Sequence, residues 1–152
     1  MNDITFGQAW AYGGFLMWVL AAISVFALAG VNDPVAFLNG PDVPPNVTSA
    51  FRESDTNDFR ILMSHRPLGF DVNAKRDGVD FQLSGHTHGG VCPGLAQVVA
   101  LMNGGFVRGF YEVGDARLYV SPGAGLWAGF PIRFFNRSEI TLFVLRRASA
   151  MR

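Results

Sequence analysis

Val79-Asp80-Phe81-Gln82-Leu83-Ser84-Gly85-His86-Thr87-His88-Gly89-Gly90 reads as a short apolar strand running into a glycine-rich turn that carries two imidazoles one residue apart. Such a pair offers two nitrogens of metal-binding type at once. The glycines let the backbone turn sharply and approach a ligand, and they weaken the structure unless something requires them. The remaining histidine, His65, follows a second strand-like stretch, Phe59-Arg60-Ile61-Leu62-Met63-Ser64. All 3 histidines therefore stand just beyond the C-terminal end of an expected strand, the edge on which open α/β sheets build their ligand sites. A single histidine is usually a satisfied surface or core residue, but their joint placement points to a metal site.

Around these two strands the chain alternates strand and helix signals. Pro34 to Asp58 carries Pro41, Pro44 and Pro45 among polar residues and reads mostly as loop. Phe70 to Arg76 suits a short helix. Leu95 to Met102 is open between a short helix and irregular structure covering the site. Phe106 to Val113 and Ala116 to Ser121 flank Gly114-Asp115 and predict a β-hairpin. Glu139 to Leu145 reads as a final strand. The expected class is α/β.

Three segments carry a resemblance. Ser64-His65-Arg66-Pro67, Gly85-His86-Thr87-His88-Gly89-Gly90 and Tyr119-Val120-Ser121-Pro122-Gly123-Ala124-Gly125-Leu126-Trp127, with Arg133 and Ser138-Glu139-Ile140-Thr141-Leu142 after them, resemble the C-terminal half of a calcineurin-like metallophosphoesterase. The membrane-associated bacterial branch of that family is the best match. The likeness runs from about Ala29 to Arg146 and begins at Leu28-Ala29-Gly30-Val31-Asn32-Asp33-Pro34. It implies part of a two-sheet sandwich of mixed strands with a β-hairpin, occupying residues 29–152. It also implies hydrolysis of phosphoesters and two divalent metal ions, manganese, iron or zinc.

By that resemblance, His65 and His86 would ligate one metal and His88 the other, while Gly89, Gly90, Trp127 and Arg133 would shape the substrate pocket. The family also uses an Asp-x-His, a Gly-Asp with a bridging aspartate and an Asn-His pair, all upstream of the lone histidine. No histidine precedes His65, so the Asp-x-His and Asn-His elements have no counterparts here. The expectation is a truncated enzyme, with at most a partial site and no complete catalytic set in this chain. A separate N-terminal half could complement it. Imidazoles without a bridging carboxylate suit borderline ions such as zinc better than magnesium. Two other readings stand beside this one: a non-catalytic, membrane-tethered metal-binding module, and a structural fragment. Val91 replaces the family's usual glutamine, Leu68 its frequent acidic residue, and Ala128-Gly129-Phe130-Pro131 its Gly-Pro-Pro, so substrate specificity does not transfer.

Composition limits the partners. Of the 152 residues 49% are hydrophobic and 16% charged, against about 25% charged in an average soluble domain. The net charge is zero, which gives no broad basic face for nucleic acid. One cysteine, Cys92, excludes a disulfide within the chain. From Ile4 to Val31 there is no charged residue. Residues 1–28 are expected to form an apolar N-terminal helix, spanning or facing a membrane, since roughly 20 such residues cross a bilayer. A bacterial inner membrane is the location this suggests. A competing reading makes Val25-Phe26-Ala27-Leu28-Ala29-Gly30 a buried strand, because a continuous apolar run cannot separate the two by periodicity.

Because the missing strands would pack on this half, Ile61, Met63, Val79 and Phe81 are expected to expose apolar surface.

Overall fold

The computed structural model describes residues 26–33, 45–126 and 133–146. In chain order its elements are β1 (Phe26–Gly30), α1 (Val47–Ala50), β2 (Phe59–Met63), α2 (Phe70–Asp77), β3 (Phe81–Ser84), α3 (Leu95–Met102), β4 (Gly109–Val113) and β5 (Ala116–Val120). The five strands form one mixed sheet in the order β1-β2-β3-β5-β4. β1, β2, β3 and β5 run parallel, and β4 closes the far edge antiparallel to β5. The C-terminal ends of β1, β2 and β3 therefore lie side by side, and Asp33, His65 and His86 follow them.

Local chemistry accounts for several boundaries. Asn46 caps α1 by accepting the Ser49 amide at 2.9 Å. α2 lies between Gly69 (φ +84°) and Gly78 (φ +64°), both left-handed, a conformation glycine adopts without the penalty other residues meet. Asp71 in its first turn and Lys75 and Arg76 in its last match the helix dipole.

One sheet face buries Leu62 with Val47, Phe51 and Val79 under α1. On the same face Leu118, Val120 and Ala116 pack on Phe70 from α2. The opposite face gathers Ile61, Phe81 and Tyr119, with Leu83 and Phe143 against them.

Asp77 ties α1 to α2. It pairs with Arg76 at 2.8 Å and accepts from the Thr48 hydroxyl. Burial opposes its ionisation, but the hydrogen bonds from Arg76 and Thr48 and the charges of Arg76 and Arg60 outweigh burial and hold its carboxyl below the ordinary value. A depressed folded value stabilises above the unfolded pKa of about 3.9, and that stabilisation is lost as pH falls through the folded value. Acid unfolding monitored by circular dichroism should therefore steepen below about pH 4. Asp77→Asn should flatten that limb, and an unchanged limb would show that Asp77 does not carry it.

Three expectations are corrected. Glu139 to Leu145 forms no strand. Thr141 reaches Tyr119 (hydroxyl to hydroxyl, 2.8 Å) and Phe143 stacks edge-on against Phe81 and Tyr119 at 5.3 and 5.0 Å, while Ile140 and Leu142 point away, 92% and 86% exposed. The alternation of a strand is there, but among the described residues no neighbouring strand supplies a ladder. Second, of the four residues expected to be exposed, only Met63 is, at 52%; Ile61 and Phe81 are buried beside Phe143, and Val79 under α1. Third, Phe26–Gly30 is strand, so a helix in the N-terminal segment could only involve residues 1–25, which lie outside the described residues. Among the described residues no helix is long and apolar enough to cross a membrane.

Candidate metal centre

The site is built where the loops after β1, β2 and β3 meet. His65 Nε2 and His86 Nδ1 are 3.1 Å apart, and an Asp33 oxygen stands 3.7 Å from His65 Nε2. One ligand-type atom from each of Asp33, His65 and His86 lies within 4.8 Å of the others.

The loop carrying His65 is anchored from below. The Arg66 carbonyl accepts from Ser64 Oγ (3.0 Å), Ser84 Oγ (3.3 Å) and Gln82 Nε2 (3.4 Å). Gln82, fully buried, also donates to Ser84 Oγ and accepts from Asn73 of α2. A buried amide needs such partners, because an unmet polar group costs about 1–3 kcal/mol. The His65 carbonyl in turn accepts the Gly85 amide at 3.0 Å, which joins the two histidine loops directly.

The His86-Thr87-His88 turn is held in an uncommon shape. His86 (φ +67°), His88 (φ +47°) and Val91 (φ +62°) all adopt left-handed backbone, which non-glycine residues seldom do and which clusters at functional sites. Thr87, buried between the histidines, donates to the Val107 carbonyl at 2.6 Å. The Asn136 amide donates to the His88 carbonyl. A Cβ on Gly89 would land within the Asn136 side chain, and one on Gly90 would lie 2.7 and 2.9 Å from Cβ and Cα of Ala96 on α3. Close approach therefore dictates both glycines, whose expected place was the substrate pocket.

The donor set suits a cation here. Burial, and next the Arg66 guanidinium, push the His86 imidazole below its ordinary value, so at neutral pH it presents the uncharged nitrogen a metal requires. Asp33 adds negative charge, oriented by Arg66 Nε at 2.8 Å. A tetrahedral zinc ion bound by two imidazoles would set their nitrogens about 3.3 Å apart, close to the 3.1 Å observed. Two imidazoles and a carboxylate fit such an ion.

His88 is not part of that close set; its Nδ1 is buried without a hydrogen-bond partner among the described residues. Arg133 gives its guanidinium to the carbonyls of Pro122, Gly123, Gly125 and Arg137 at 2.6–3.1 Å and so pins the loop after β5. Trp127 lies outside the described residues. Asp33 is the residue the sequence reading did not single out, although its place after β1 was a signal of the same kind as the histidines'.

The chain is similar to several curated proteins. It is 35% identical over 114 residues to a protein of Helicobacter pylori (strain J99) named an uncharacterized metallophosphoesterase, covering 74% of this chain and 30% of the relative. The uncharacterized metallophosphoesterase YkuE of Bacillus subtilis is 33% identical over 138 residues, 88% of this chain and 45% of its own length. A Danio rerio protein named a transmembrane protein with metallophosphoesterase domain is 37% identical over 124 residues, 80% of this chain and 28% of its own. The chain thus spans less than half the length of these relatives. No family model matches it, and no solved structure does.

Proposed function

The chain belongs to the calcineurin-like metallophosphoesterases, and from that premise we propose that it supplies part of a divalent-metal centre for phosphoester hydrolysis. One observation carries the reading: two imidazole nitrogens 3.1 Å apart on adjacent parallel strand ends, with the Asp33 carboxylate beside them. A divalent cation in such a centre supplies Lewis-acid polarisation of a phosphoryl oxygen. His65 and His86 hold their nitrogens toward a common point, and Asp33 offsets positive charge while Arg66 fixes its orientation. Thr87 and Asn136 keep the turn in the shape that aims His86. His88 is assigned to a second ion, in keeping with its separate placement.

The described residues bring one carboxylate to this cluster, whereas two-metal hydrolysis needs ions held at a fixed, short separation. The remaining ligands are assigned to sequence of the kind that makes the relatives longer. Membrane attachment through the uncharged residues Ile4 to Val25, ahead of β1, is part of the same proposal, supported by relatives of Danio rerio and Bos taurus that are named transmembrane proteins.

The test is hydrolysis of bis(p-nitrophenyl) phosphate with manganese or zinc. The 152-residue chain alone should turn over no faster than a His86→Ala, His88→Ala control, and activity should appear on co-expression with the N-terminal part of the Bacillus subtilis relative. Turnover by the chain alone that the double substitution abolishes would contradict the partial-site argument. Silence in both arms would contradict the phosphoesterase reading.

A further inference from the structure

α3 is an unusual helix for a globular chain. Leu95-Ala96-Gln97-Val98-Val99-Ala100-Leu101-Met102 is apolar at all positions but Gln97, yet none of its residues is buried. A helix apolar nearly all round is normally enclosed. Instead its inner side forms one wall of a cavity of about 210 Å³, whose other wall is the histidine turn: His86, Thr87, His88 and Val91 face Val98, Val99 and Met102 across it. His86 is thus common to this cavity's lining and to the candidate metal centre.

Its lining is apolar with a few polar groups, the usual make-up of a small-molecule pocket. Asn103, only 3% exposed, closes one end. Its Nδ2 donates to the Val99 carbonyl at 2.9 Å, but its Oδ1 is buried with no partner among the described residues.

We propose that this cavity takes the hydrocarbon chain of the phosphoester substrate, so that the substrate is amphiphilic, with its phosphate at the histidine cluster and its alkyl or acyl chain along α3. The proposal rests on the phosphoesterase reading and adds the substrate class. Ligation places the anion beside His86, and burial of methylenes against Val98, Val99 and Met102 supplies the preference for a chain. Such a ligand could arrive as a dispersed monomer or from a bilayer.

Calorimetry on the zinc-loaded chain tests this, with methyl phosphate and octyl phosphate as probes, the latter below its micelle concentration. Octyl phosphate should bind at least about tenfold tighter, given the free energy of burying methylenes. Val98→Asn should remove most of that difference while leaving methyl phosphate binding unchanged. Leu101→Gln, on the same helix but outside the cavity and 85% exposed, should change neither. Equal affinities for the two probes, both dependent on zinc, would overturn the amphiphile proposal and leave the phosphoesterase reading intact. Absence of zinc-dependent binding of either probe would overturn both. Loss of the preference in Leu101→Gln as well would reduce it to general adhesion and overturn the cavity assignment. Binding to phosphatidate vesicles without binding to dispersed octyl phosphate would likewise place recognition on a lipid surface and not in this cavity.

Discussion

Replacing His86 with alanine should weaken zinc binding by at least about 100-fold. Loss of an outer-shell partner alone costs roughly 10–100-fold in metal affinity, and His86 would contribute one of only two imidazole nitrogens in the close cluster. Its neighbours explain why no other side chain can substitute. Its ring is aimed by a left-handed backbone (φ +67°), and the next residue is locked to Val107, so the turn cannot slide to bring His88 into the vacated place. Asp33→Asn should cost less, roughly tenfold, because it leaves both nitrogens in position and removes one charge. Competition against a chromophoric zinc chelator measures both. A His86→Ala chain that binds zinc as tightly as the parent would show that His65 and His86 do not share an ion.

Phe70→Ala should destabilise the chain by about 3–5 kcal/mol, the range for emptying a fully buried aromatic site. Phe70 is the first residue of α2 and is completely buried against Ala116, Leu118 and Val120, with the Phe106 ring edge-on at 6.0 Å. It joins the helix to β5, so its loss leaves a cavity between two elements that the chain cannot easily draw together. Total stabilities of small domains are about 5–15 kcal/mol, so urea titration should show a large fall in midpoint. Leu101→Ala, at an exposed position, should stay within about 0.5 kcal/mol of the parent. A Phe70→Ala change below about 1 kcal/mol would mean that this side of the core is not packed as described.

The elements legible in the sequence are those whose signals are local. β2 and β3 are short apolar runs that end at polar or glycine-rich loops, α2 is framed by Gly69 and Gly78, and Gly114-Asp115 marks the β4–β5 hairpin. Leu95 to Met102, left open by its uniform apolarity, resolves as a helix. Elements that depend on distant partners were not legible. Glu139 to Leu145 has the alternation of a strand, but a strand needs a hydrogen-bonded ladder with a neighbour, and among the described residues it has instead the Gly123 carbonyl on the Glu139 amide, the Tyr119 hydroxyl on Thr141 and the rings of Phe81, Phe110 and Tyr119 against Phe143. The same ring contact buries Ile61 and Phe81, which one-dimensional reasoning left bare. α1 was hidden among prolines, being one turn fixed by the Asn46 cap and by Thr48 on Asp77.

The candidate site divides the same way. The histidines stood out because imidazoles are few and each follows an apolar run. Asp33 did not, since a carboxylate after a strand is common on any surface. Only the parallel pairing of β1 with β2, which sets Gly30 beside Met63, brings it to His65. The local signal at Gly89 and Gly90 is backbone freedom, whereas what crowds them is the distant Asn136 side chain and Ala96 at the start of α3, contacts that only the folded chain makes.

The central claim is that His65 and His86 bind one metal ion together. X-ray absorption at the zinc edge of the zinc-loaded chain tests it most directly. The parent should show two imidazole nitrogens at about 2.0–2.1 Å, falling to one in His86→Ala. A shell without imidazole scattering, or one that His86→Ala leaves unchanged, would contradict it.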